Sequence, residues 1–205
     1  MEPPTPAPPE SPESPLAPAP PPPPSSKPRS LLEIVLGPNA AVWEPWQRKP
    51  GMPALVLVRG LPGSGKTKLA QWLANRGYVH LEAGMYFTDG LGRYKYDNTK
   101  IHDAHRYCFA CAVETMKKHK NLVVANTFVR LWELEQFVKL AKRLKYFVRI
   151  IELTAKGESR YKIPSRTKRN MRRFWEEINQ ERLEEIAKKE VLTAYENPTK
   201  SKEIG

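Results

Sequence analysis

Apolar residues along this chain fall into short blocks separated by polar, glycine-bearing turns. Residues 54–59 (Ala-Leu-Val-Leu-Val-Arg) form a brief apolar run that stops at glycine, the pattern of a strand buried on both faces. In 67–76, Leu69, Trp72 and Leu73 share one side of a helix. A second short strand is predicted over 78–81, then a Gly- and Tyr-rich loop over 82–97 and a helix over 99–118. A third strand over 121–125 turns at Asn126 and Thr127 into a helix over 131–145, and a fourth strand follows over 146–153. Residues 154–163 read as a charged loop. Beyond it Met171, Phe174, Ile178, Leu183 and Ile186 recur at helical spacing, which predicts one last helix with Pro164 in its first turn. Strands alternating with helices predict an α/β domain with a small, mostly parallel sheet. Ligands of such sheets bind at the carboxyl ends of the strands. That edge gathers the loop after 54–59, the turn at 82–87 and the turn at 126–130.

The first 28 residues break from this pattern. They hold 14 of the 21 prolines and, apart from Leu16, almost no bulky apolar side chain. Such a segment cannot bury a core and reads as an unstructured or polyproline-like tail. Its Pro-x-x-Pro spacing also suits a protein partner with an aromatic groove. The expected organisation is a Pro-rich tail over 1–30, an arm over 31–53 carrying Trp43 and Trp46, the domain over 54–195 and a C-terminal tail over 196–205. The tail has no apolar stretch behind basic residues and so does not read as a signal peptide, and no segment is long and apolar enough to span a membrane. Two cysteines cannot make a disulfide framework, so a soluble, cytoplasmic protein is expected.

Net charge is +12, and between residues 139 and 173 thirteen Lys or Arg face only Glu152 and Glu158. That density favours phosphate-rich partners, nucleotide or nucleic acid. The sharper signal is Gly60-Leu61-Pro62-Gly63-Ser64-Gly65-Lys66-Thr67, a complete P-loop between a predicted strand and a predicted helix. Its glycines let the backbone curl so that several N–H groups face one anion, and the helix adds its positive end. Lys66 is suited to the β and γ phosphates and the Thr67 hydroxyl to magnesium, so ATP or GTP with Mg2+ is the expected ligand. The third strand ends in Val123, Val124, Ala125 and Asn126, without the acidic residue that usually supports the metal.

The P-loop is followed by Glu82-Ala83-Gly84-Met85-Tyr86-Phe87, Tyr94-Lys95-Tyr96-Asp97, Ala104-His105, Asn126-Thr127 and Trp132-Glu133. In this order and spacing the chain resembles the compact AAA-type P-loop ATPase/kinase family related to phage-type polynucleotide 5′-kinases, over about residues 54–177. The resemblance implies a three-layer α/β/α P-loop fold with a basic lid at 154–163, where Lys156, Arg160 and Lys162 stand as phosphate clamps or as a solvated loop. The kinases of this group carry an acceptor-side Asp, the general base, where this chain has Gly84, and they show Asp where it has Asn126. Glu82 and Asp89 are the carboxylates able to substitute as base.

Other constellations carry less. His102, His105, Cys108 and Cys111 step by three along one helix, and such steps rotate about 300° each, so one helix cannot converge all four on an ion. Asn126 and Arg130 are candidate acceptor contacts beyond the third strand, Arg106 a weaker one, and Tyr94 and Tyr96 are able to stack a base or anchor a loop. Three readings follow: phosphotransfer from ATP–Mg2+ to a hydroxyl of a nucleic-acid end or nucleotide, with Lys66, Arg160 and Glu82 catalytic; a nucleotide-binding module or ATPase weakened by Gly84; and a small-molecule kinase resembling the zeta toxins. Because the tail lacks material for a core, a chain beginning at Ser30 is expected to bind ATP as tightly as the full chain in calorimetry; a large loss would place the tail in the site.

Overall fold

The structure, a computed structural model, describes Leu36, residues 40–155, residue 157 and residues 163–188. Among these residues the strands are β1 (Ala40–Trp43), β2 (Ala54–Gly60), β3 (Val79–Leu81), β4 (Leu122–Ala125) and β5 (Phe147–Leu153). They form one sheet in the order β1-β5-β2-β4-β3. β2 pairs in parallel with β4 and β5, β3 pairs in parallel with β4, and β1 alone runs antiparallel, at the β5 edge. The helices are α1 (Lys66–Ala74), α2 (Ile101–Lys117), α3 (Leu131–Arg143), α4 (Ser165–Arg173) and α5 (Gln180–Lys188), with 3-10 turns at Ala83–Phe87 and Asn98–Lys100.

All seven residues of β2 are buried, as a strand with neighbours on both sides and helices on both faces requires. Leu55 and Leu57 join Leu122, Val124, Val148 and Ile150 in one core with Cys108, Ala112 and Met116 of α2 and Leu134, Phe137 and Val138 of α3. Val56 and Val58 alternate to the other face. There α1 packs on β2, β3 and β4 and buries Leu69, Ala70 and Leu73. The result is the α/β/α layering of a P-loop NTPase, with every parallel strand ending at the P-loop edge.

Two expectations are corrected. The arm over 31–53 contributes a strand: Ala40 pairs with Leu153 and Trp43 with Ile150. Four small or half-buried residues carry too little alternation to announce a strand, and what fixes it is tertiary. Arg149 Nε donates to Glu44 Oε1 at 2.7 Å, and Trp46 Nε1 donates to the Tyr146 carbonyl at 2.9 Å. The single last helix is two. Phe174–Asn179 interrupts it because Glu176 N donates to the Val129 carbonyl at 3.0 Å, drawing the chain to the sheet edge. Asn179 then starts α5 as an N-cap, its Oδ1 accepting from Arg182 N at 2.8 Å. Apolar periodicity runs through the break because Ile178, from the interrupting segment, and Leu183 and Ile186, from the second helix, reach the same core.

Tyr146 is fully buried between layers, its hydroxyl 3.1 Å from the Met116 carbonyl and 2.9 Å from that of Lys120. Tyr146→Phe leaves those carbonyls without this donor and is expected to cost about 1–2 kcal/mol in denaturant unfolding; an unchanged midpoint would mean the hydroxyl does not hold α2 to the sheet.

Candidate functional site

The P-loop leaves β2 at Gly60 and re-enters regular structure at Lys66. Gly63 and Gly65 have φ of 90° and 94°, the left-handed region that turns successive N–H groups inward. Lys66 Nζ donates to the Leu61 carbonyl at 3.0 Å, closing the loop on itself. Burial pushes the ammonium down to about 8, against the opposing pull of Glu82. Ser64 is buried with its hydroxyl unpartnered.

Glu82 extends from the end of β3 and is 8% exposed. Its Oε2 accepts from the Thr67 hydroxyl at 3.1 Å, and its Oε1 lies 2.7 Å from His80 Nε2. The expected acceptor-side base is therefore engaged on the P-loop side. Asp89, the other expected substitute, is spent in its own turn. It accepts from the backbone of Leu91 and Arg93 and from Arg93 Nε at 2.8 Å, contacts that hold its carboxyl below the usual range. Gly84 lies in the 3-10 turn Ala83–Phe87.

Asn126 is buried, and its carboxamide serves the protein: Oδ1 accepts from Ala83 N at 2.8 Å and Nδ2 approaches Cys108 Sγ at 3.5 Å. It thus ties the end of β4 to the turn after β3. Arg130 pairs with Glu176 Oε1 at 2.8 Å and lies over the Phe174 ring, while Glu176 Oε2 accepts from Leu131 N at 2.7 Å. Arg106 pairs with Asp103. Tyr94 and Tyr96 stack on one another, 15° from parallel, with Phe87 against both. Among the described residues no group of three or more His, Cys, Asp or Glu is arranged to hold a metal.

The lid candidates Lys156, Arg160 and Lys162 lie outside the described residues. Gly157 between them is described, and a Cβ there would come within 2.9 Å of the Gly63 carbonyl. Gly157 thus lies close against the P-loop backbone at Gly63.

Sequence reading missed Arg59. Although fully buried, it donates from Nη2 to the Glu176 carbonyl at 2.9 Å and stacks on Trp175 at 3.9 Å. Nη1 lies 3.3 Å from Glu152 Oε2, an ion pair without hydrogen-bond alignment. Burial lowers the Arg59 pKa and raises that of Glu152. The available signal was an arginine closing an otherwise apolar buried strand. A groove of about 700 Å³ lined by Trp46, Met52, Tyr146 and Ala187 lies by the start of β5 and the end of α3, apart from the P-loop.

A family model described as AAA domain matches residues 55–189, well over half of the chain. The chain belongs to the AAA-domain family. This AAA domain is 38% identical over 97 residues to NEDD4-binding protein 2 of Homo sapiens, a match covering 46% of this chain and 5% of that protein. The chain therefore spans only a small part of the length of that relative. Among solved structures, a chain of the Pnkp1/Rnl/Hen1 RNA repair complex aligns with a TM-score of 0.42 and 14% identity, over 68% of this chain and 44% of that one. Chaetomium thermophilum Kti12, solved with ADP-AlF3, aligns with a TM-score of 0.43 and 18% identity, over 61% of this chain and 81% of that one.

Phosphates favour charged Lys66, whereas the free protein holds it near 8. Nucleotide binding at pH 8 is thus expected to take up a proton, and affinity is expected to fall as pH rises above about 8, read by calorimetry in buffers of different ionisation enthalpy. Lys66→Ala is expected to cost about 2–3 kcal/mol of ATP binding and to abolish this pH dependence. Equal affinity for parent and variant would overturn the assignment.

Proposed function

We propose that this AAA domain binds ATP with Mg2+ through residues 60–67 and presents the γ-phosphate to a hydroxyl of a nucleic-acid end or a nucleotide, with transfer slowed by the lack of an acceptor-side base. The observation that carries this reading is the contrast between the two halves of the cleft. On the nucleotide side, the curled loop, Lys66 and the Thr67 hydroxyl supply an anion cradle, a cation and a hard oxygen donor. On the acceptor side, Gly84 has no side chain, Glu82 is held by Thr67, and Asp89 is folded into its own turn.

The donor set fits magnesium, which takes oxygen ligands from one or two protein groups together with substrate phosphates. When bound, Mg2+ neutralises charge on the β and γ oxygens. Thr67 would hold it, and Lys66 would orient the phosphates. A nucleic-acid acceptor is supported by α4, whose Arg166, Lys168, Arg169, Arg172 and Arg173 are carried on a helix with no buried residue. α4 ends at the bracket formed by Trp175 and Glu176 on Arg59. A second reading, a nucleotide-binding module without transfer, is favoured by the engagement of Glu82.

A γ-labelled ATP assay with 5′-hydroxyl DNA, 5′-hydroxyl RNA and no acceptor tests both. Weak label transfer is expected from the native chain. Gly84 is not a positive-φ glycine, so Asp is compatible with its backbone. Gly84→Asp is expected to raise transfer by about 10²-fold or more, the usual range for a positioned base. Transfer by the native chain at ordinary kinase rates, with no gain from Gly84→Asp, would overturn the missing-base reading. A folded, ATP-binding Gly84→Asp chain that labels no acceptor would make the module reading the better one.

A further inference from the structure

P-loop proteins hold their cation between the P-loop hydroxyl and an acidic side chain from a neighbouring part of the sheet edge. Here the strand beside β2 ends in Ala125, 3% exposed, and in Asn126, whose carboxamide is committed to Ala83 and Cys108. A carboxylate reaches the P-loop hydroxyl from one strand further out. β3 and β4 pair in register up to Leu81 and Val124, so the next residue, Glu82, comes level with Ala125. Glu82 is still extended, with φ −141° and ψ 145°, and the turn begins only at Ala83. Strand alternation sends Val79 and Leu81 to the core shared with α2 and α3. The same alternation sends His80 and Glu82 to the face that α1 covers. Thr67 lies in the first turn of α1, so the parity of β3 delivers the carboxylate to the P-loop hydroxyl.

We propose that Glu82, held in place by His80, completes the Mg2+ site of the nucleotide complex together with Thr67. This rests on the nucleotide-binding function proposed above. Thr67 donates its hydroxyl proton to Glu82 Oε2, which leaves the hydroxyl lone pairs for a cation. Thr67 orients one carboxylate oxygen, and His80 Nε2 lies 2.7 Å from the other without hydrogen-bond alignment, a close neighbour of the kind that positions metal ligands elsewhere. A buried anion at this point repels incoming phosphates when no cation is present. With Mg2+ between them the same charge becomes a bridge. His80 is a positioning residue in this scheme. Glu82 is spent on the metal and not on the acceptor hydroxyl.

The test is Mn2+ binding to the ADP complex of the full chain, followed by electron paramagnetic resonance, with ADP affinity measured separately in EDTA and in Mg2+. Glu82→Gln keeps the shape and removes the charge. It is expected to weaken Mn2+ binding to the ADP complex by about 10–100-fold. ADP affinity in EDTA is expected to hold or rise, because a repelling charge has gone. A purely structural role would lower ADP affinity equally with and without metal, and that result overturns the proposal. Unchanged Mn2+ affinity overturns it as well, while leaving nucleotide binding intact. If the parent chain binds no ADP under either condition, the nucleotide reading and this inference fall together. Should Glu82→Gln not melt cooperatively, His80→Gln carries the test. Freed from His80, Glu82 is expected to bind Mn2+ less tightly, and equal affinity overturns the proposal.

Discussion

Backbone pairing of β2 on both of its sides is the constraint from which the site follows. A central parallel strand must satisfy its N–H and C=O groups through two neighbours, and those neighbours then end at the same edge. Val58 stands level with Ala125 on one side, and Gly60 with Leu153 on the other. The loops leaving that edge continue the ladder: Asn126 N donates to the Val58 carbonyl at 3.2 Å, and Gly60 N to that of Thr127 at 3.4 Å. A one-residue slip of β3 would turn His80 and Glu82 into the core shared with α2 and α3 and move Leu81 to the face that α1 covers. The chemistry of the cleft is thus a consequence of register, and register is held by the apolar alternation of the strands.

The charged edge is the second layer of this dependence. Arg59 is buried where β2 meets the P-loop and contacts residues that precede and follow α4 in the chain. Glu152 is the penultimate residue of β5, while Trp175 and Glu176 follow α4. One guanidinium therefore joins the end of β5 to the segment that follows the basic helix α4. Removing one partner from such a buried network is costly, about 3–5 kcal/mol, because it strands the remaining charge. Glu176 adds a link of its own, accepting from Leu131 N and Arg130, which fixes the start of α3 against the same bracket. Arg130 is thereby drawn into the scaffold.

The two halves of the cleft differ in how far they could be read in advance. The P-loop was legible because its chemistry is local: eight consecutive residues set the curl, the cation and the hydroxyl. The acceptor side was not, because the role of a carboxylate depends on what it meets. In the sequence Glu82 was the chosen candidate for the base and Asp89 a further carboxylate able to substitute. In the structure one is a buried partner of Thr67 and the other an exposed staple of its own turn. Asn126, expected to face substrate, instead spends its carboxamide joining β4 to the turn after β3.

By itself the sequence determined the α/β class, the strands from β2 to β5, the P-loop and the concentration of basic charge after residue 139. These follow from periodicity, from glycine and from charge counted along the chain. Strand β1 and the break between α4 and α5 were decided by tertiary contacts, from Tyr146 and Arg149 in one case and Val129 in the other. The meeting of Glu82 with Thr67 and the burial of Arg59 were decided the same way. Each joins residues far apart in the chain, and no local preference encodes a partner that only the sheet register brings within reach.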